Sequence, residues 1–225
     1  MMARLVMAAV AALGVLAGCN PDPSTGTPPP PGEAAPAFAS VSSPVGPGTA
    51  WPLGDTWREG CPVHHSDLAG LEVSHWGYDG HAATGRVVVH VGDADAITEV
   101  FRQLYEARFQ IERLEPIDAF GGDDDASMAA NNSSAFNCRT VAGTSRWSEH
   151  AYGRAIDLNP VQNPYVRGDL VEPPAGEAWR DREHVTPGMI TDGDAVVRAF
   201  ASQGWGWGGH WASSKDYQHF SATGR

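Results

Sequence analysis

Between residues 20 and 50 the chain carries nine of its seventeen prolines, four of them consecutive from Pro28 to Pro31, with Ser, Thr, Gly and Ala between. Proline fixes its own backbone angle and donates no amide hydrogen, and a stretch of this composition has little apolar surface to bury. It is expected to be an extended linker, so the folded part must come from residues 51–225. About 175 residues suffice for one domain with a sizeable core and fall short of two.

The residues before the linker bear on the compartment. Arg4 precedes an apolar run from Leu5 to Leu16, too short to span a bilayer and stay there. The run ends in Leu16-Ala17-Gly18-Cys19, which resembles a bacterial lipobox; cleavage before Cys19 would leave its thiol to carry lipid. The expected organisation is an export signal over 1–19, a stalk over 20–50 and a domain over 51–225. That domain would be lipid-anchored through Cys19 at the outer face of the bacterial cell membrane. An ordinary secretory signal that happens to contain a cysteine is the alternative. Cys61 and Cys138 then remain as an even pair in an oxidising compartment and are expected to be bridged, the alternative being two buried thiols. With 15 basic and 27 acidic residues the net charge is -12, which repels phosphate backbones and argues against a nucleic-acid partner.

Patterning within the domain predicts an α+β architecture, because strands and helices do not alternate regularly. Arg86 to Val91 is rich in β-branched residues and reads as a strand. Ile97, Val100, Phe101 and Leu104 follow helical spacing, with Asp93 or Asp95 placed to cap the start. Ile111 to Phe120 reads as a second strand, with Pro116 arguing for an edge position or a bulge, residues 121–134 as a polar loop, and Phe136 to Val141 as extended. Ala155 to Leu158 alternates so that Asp157 faces away from the apolar residues. The segment from Asn159 to about Ile190 reads as a long irregular rim, Asp194 to Gln203 as a helix, and Tyr217 to Ser221 as a closing strand.

Two stretches carry residues suited to metal chemistry: Ser148-Glu149-His150-Ala151-Tyr152-Gly153-Arg154-Ala155-Ile156-Asp157, and Asp216-Tyr217-Gln218-His219. Spacing alone decides little, since Asp181-Arg182-Glu183-His184 repeats the second pattern. The chemistry is more telling. Zinc accepts imidazole nitrogen and carboxylate oxygen, and a hydrolytic site needs three protein ligands. His150, Asp157 and His219 would supply two neutral ligands and one anion, and Asp216 a general base. Gly153 permits the sharp turn that lets a loop histidine and a strand aspartate meet. His64, His65, His75, His81, His90 and His184 read as ordinary surface or core residues. Asp123-Asp124-Asp125 reads as a solvated loop, because it lacks the alternating ligands of a calcium loop. Trp205 and Trp207 read as core.

Several linked motifs together resemble the bacterial zinc D-alanyl-D-alanine carboxypeptidase family, also called the LAS or VanY-like metallopeptidases. They are Asn131 with Ser133-Ser134-Ala135-Phe136-Asn137-Cys138-Arg139, then Ser148-x-His150-x-x-Gly153-x-Ala155-x-Asp157, Asn159-Pro160 with Asn163-Pro164-Tyr165, Gly204-Trp205 to Trp211, and Asp216-x-x-His219-Phe220. The resemblance covers roughly residues 60–221. It implies a fold like the hedgehog signalling domain, an antiparallel sheet with packed helices. It further implies His150, Asp157 and His219 as Zn2+ ligands, Asp216 as catalytic base, Arg139 as the group holding substrate and the developing oxyanion, and Ser148 as a residue orienting substrate. The implied partner is the stem peptide of peptidoglycan, cut as a carboxypeptidase at D-alanyl-D-alanine. A cell-wall endopeptidase of the same mechanism and a non-catalytic zinc-containing binding lipoprotein are the alternatives. His210 is an extra potential ligand near the site.

Overall fold

A computed structural model of the protein describes residues 36–54 and 56–225. The expected signal, Cys19 and the proline run lie outside the described residues. The fold is mixed α+β, with several small antiparallel sheets and packed helices. Among the described residues no helix is long and apolar enough to cross a membrane.

The first sheet runs β1 (Ser40–Pro44), β2 (Leu68–Trp76), β3 (Ala82–His90), all antiparallel. Strand periodicity sends alternate side chains to opposite faces. Ala69, Leu71, Val73, Val87 and Val89 therefore enter the main core, while Leu68 and Val88 enter a smaller cluster behind the sheet with Val45, Trp51, Phe136 and Cys138. β1 lies inside the stretch expected to be linker, so the folded chain starts before Trp51. The reason is that Val45 is buried, Phe38 packs on the core, and the carbonyl of Pro36 accepts the Tyr105 hydroxyl at 2.8 Å. Trp51 lies so close over β2 that a Cβ on Gly70 would stand 2.4 Å from its ring.

Helix α1 (Ala94–Glu106) buries the expected Ile97, Val100, Phe101 and Leu104 against β2 and α3 (Ala195–Ser202). Asp93 occupies its N-cap position without capping it; its carboxylate instead receives Arg154 at 2.9 Å. α3 forms where a helix was expected and is capped by Asp194, which accepts from the Val197 amide at 2.9 Å.

Three expectations need correction. Ile111 to Phe120 yields only the two-residue β4 (Arg113–Leu114), parallel to β5 (Asn132–Ser133), because the chain turns at Pro116 into a 3-10 turn over Ile117–Phe120. The polar loop contains α2 (Asp124–Ala129), whose N-cap Asp123 accepts from the Ala126 amide at 3.0 Å. The rim holds a hairpin, β7 (Tyr165–Arg167) with β8 (Leu170–Glu172). Buried amides shape the rest of the rim: Asn163 and Asn159 both donate to the Gly188 carbonyl, at 2.8 and 3.1 Å. Arg182 donates to the carbonyls of Gln162 and Ile190 and stacks over Tyr217.

The sheet that carries the candidate site is β6 (Ala155–Asp157), β11 (His219–Ser221) and β9 (Gly206–Trp207), in that order. Beside it, β10 (Lys215–Asp216) joins β7. Phe220 faces the core and stacks on Phe200 at 4.0 Å; Trp205 and Trp207 are buried as expected.

Cys61 and Cys138 are joined by a disulfide across 77 residues. It ties the segment before β2 to the residue next to Arg139. Replacing both cysteines by serine is expected to cost about 2–4 kcal/mol, the usual effect of opening a loop of this size, and urea unfolding of the double variant against the oxidised protein measures it.

Candidate metal centre

Strand register brings the first two ligand candidates together. His219 lies directly opposite Asp157 across the β11–β6 pair, and directly opposed residues share a face. Nδ1 of His219 is 3.0 Å from Oδ1 of Asp157. His150 arrives from elsewhere, on a 3-10 turn over Glu149–Tyr152, and its Nε2 lies 3.2 Å from Oδ2 of Asp157 and 3.3 Å from Nδ1 of His219. All three residues are buried.

The turn carrying His150 is held at both ends. The Ser148 Oγ accepts from the His150 amide at 3.3 Å, which gives Ser148 a capping role. Gly153 ends the turn with φ of 67°, in the left-handed region, and its carbonyl accepts the His90 amide at 2.8 Å. A Cβ on Gly153 would stand 2.6 Å from the backbone nitrogen of His90. Gly153→Ala is therefore expected to lose about 2–4 kcal/mol of stability, through strain at positive φ and a clash with β3. A shift of the turn would also move His150 and is expected to weaken metal binding; thermal unfolding with and without added zinc reads both effects.

Each histidine presents a defined nitrogen to the cluster. Nδ1 of His150 lies 2.6 Å from the Ala135 carbonyl, and Nε2 of His219 lies 3.1 Å from the Arg225 carbonyl. A carbonyl only accepts, so each far nitrogen carries its hydrogen and leaves the near nitrogen's lone pair facing the shared space. Two lone pairs and a carboxylate converging this closely repel one another unless a cation or a proton sits among them. Burial disfavours a protonated His219, yet the hydrogen bond and charge of Asp157, with the charge of Asp216, outweigh it and push its pKa up to about 9. Burial would also raise Asp157, but the facing His150 and His219 hold it well below the usual carboxylate range. Two imidazoles and one carboxylate fit a zinc ion by donor type, and His150, Asp157 and His219 form a group able to hold a metal.

Asp216 lies close enough for the charges of His219, Asp157, His150 and Arg139 to act on it. Burial pushes its carboxyl up to about 7, Asp157 adding to the rise and the cationic neighbours opposing it. Its Oδ1 is buried without a hydrogen-bond partner. Lys215, its neighbour in sequence, points elsewhere, to the Gly209 carbonyl at 3.0 Å. Gly208 is required behind it, since a Cβ there would stand 2.6 Å from the Asp216 carbonyl oxygen. Arg139 reaches the same region; one of its nitrogens binds Asp124 at 2.9 Å, while its Nε is buried without a partner.

His210 is not brought to the cluster. Its ring is exposed and its Nε2 meets Asp192 at 2.8 Å. Asp181, Glu183 and His184 also come together, but all three are exposed on the rim. Sequence reasoning missed Asp124 and the two carbonyls that orient the histidines. The carbonyls leave no trace in residue identity; Asp124 had a signal in the capping aspartate before it.

The sequence profile of a family described as D-alanyl-D-alanine carboxypeptidase matches residues 142–222. No curated protein and no solved structure matches the chain. The matched segment contains Ser148, His150, Asp157, Asp216 and His219, and leaves Asp124 and Arg139 outside. A peptidase-family segment and a cluster fit for a metal coincide in one place, which supports metal-dependent catalysis of the peptidase type.

Proposed function

We propose that this protein is a zinc peptidase acting on the stem peptides of peptidoglycan, with the terminal D-alanyl-D-alanine bond as its substrate. The observation that carries the reading is Asp216, a half-buried residue whose Oδ1 is buried without a partner beside the three candidate ligands. A centre that only binds has no need of such a base.

Zinc held by His150, Asp157 and His219 supplies Lewis acidity toward a carbonyl and toward water. Ionised Asp216 accepts a proton from the attacking water and returns it to the leaving amine as the carbon–nitrogen bond breaks. Arg139 offers guanidinium N–H groups to the substrate's carboxylate or to the oxygen that gains negative charge. Ser148 acts through His150, whose turn it caps. The hedgehog-like architecture, export and a lipid anchor at Cys19 belong to the same proposal and are supported by the linked motifs and the lipobox-like run.

The test is to incubate the zinc-loaded protein with muropeptides carrying pentapeptide stems and read products by mass. Loss of one alanine, abolished by a chelator, is the expected result. Cleavage inside the stem moves the specificity to that of an endopeptidase. Bound zinc without cleavage of any stem overturns the enzymatic reading in favour of a binding lipoprotein.

A further inference from the structure

We infer that Asp124 is a positioning residue, which holds the Arg139 guanidinium ready for the carboxylate at the end of the substrate. The inference rests on the proposed peptidase reading and adds to it a residue outside the family-matched segment.

An arginine side chain is long, and ordering it costs rotamer freedom that a prepared site has already spent. Asp124 meets that need with both oxygens. Oδ2 takes the Arg139 guanidinium at 2.9 Å, and Oδ1 accepts the Asn137 side-chain amide at 3.2 Å. The carboxylate is itself fixed, because α2 is tied at its start by the Asp123 cap and further along by Ser127, whose buried hydroxyl receives the Asn132 amide at 3.0 Å. The other side of the pair is equally held. The Arg139 carbonyl accepts the Ser148 amide at 3.1 Å, and Cys138 is bridged to Cys61.

What the pair leaves open is informative. Arg139 Nε is a buried donor without an acceptor, and Asp216 Oδ1 is a buried acceptor without a donor. Such groups carry a desolvation cost, which a ligand offering an acceptor to the one and a donor to the other would relieve. Asp124 occupies one side of the guanidinium only, so the remaining N–H groups stay free for an anion. An ion pair serving stability alone, partly exposed as this one is, would contribute little.

The experiment uses the zinc-loaded protein and two peptides ending in D-alanyl-D-alanine, one with a free terminal carboxylate and one with a terminal amide. Asp124→Ala is expected to raise KM for the acid about 10-fold with kcat nearly unchanged, and to leave the amide's kinetics as they were. Asp124→Glu restores most of the loss. Combined with Arg139→Ala, Asp124→Ala adds nothing further, because the two residues act as one unit. Equal loss on both peptides, or a loss that adds to that of Arg139→Ala, overturns the inference. A cobalt-substituted absorption spectrum and melting temperature matching the parent protein show that the fold is intact. If the parent protein hydrolyses neither peptide, the carboxypeptidase specificity fails by itself. Calorimetric binding of N-acetyl-D-alanyl-D-alanine then decides the Asp124 role: about 10-fold weaker binding in Asp124→Ala supports it, and equal or absent binding by the parent protein overturns it.

Discussion

On the proposed function, Asp216→Asn is expected to lower turnover on stem peptides at least about 100-fold, the scale of losing a general base, with zinc content staying that of the parent protein. Asparagine keeps the shape of the side chain and removes its ability to take a proton. The three metal-binding candidates stand on β6, β11 and the turn before Gly153, so none is displaced. The pH profile provides a second check. A carboxyl at about 7 is protonated below that value and ionised above it. Only the ionised form is a base, so activity rises with pH along the acidic limb. Positive charge from a bound cation favours ionisation, which places that limb at or below about 7. Asp216→Asn abolishes the limb. Unchanged turnover would remove Asp216 from the mechanism.

The second large effect concerns where the folded chain begins. A protein starting at residue 51 is expected to lose about 3–5 kcal/mol relative to one starting at residue 36, from the burial of Val45 and the hydrogen bonds of β1. It also bares the edge of β2, a template for pairing with another chain. Urea unfolding and size-exclusion chromatography of the two lengths give the comparison. Equal stability and equal monomer content would show that β1 is dispensable.

Residues that carry their own periodicity were legible in the sequence. The apolar stripe of α1, the helix α3 and the strand bearing Asp157 all appear where pattern placed them. The pairing of Cys61 with Cys138 followed from counting. Composition misled where a few anchors outweigh many weak formers. Proline and serine around Ser40–Pro44 masked Phe38 and Val45, whose packing decides that β1 joins the sheet. Three successive aspartates read as solvated, although the first caps a helix and the second faces an arginine. The hydrophobic run at Ile111 kept strand-like residues but lost its partner after Leu114, where Pro116 turns the chain. At the site, chemistry suggested which side chains could meet; the register between β11 and β6 is what sets His219 opposite Asp157.

That register has a consequence for how the chain would acquire a metal. His219 and Asp157 are neighbours only once two strands separated by 62 residues have paired. An unfolded chain offers no such trap, so loading would follow folding instead of guiding it. Metal added to the finished protein then acts as a thermodynamic latch. At 100 times the dissociation constant it would deepen the native well by about 2.7 kcal/mol. The melting temperature of the loaded protein thereby becomes a gauge of free metal in its surroundings, and metal starvation would surface first as susceptibility to proteolysis.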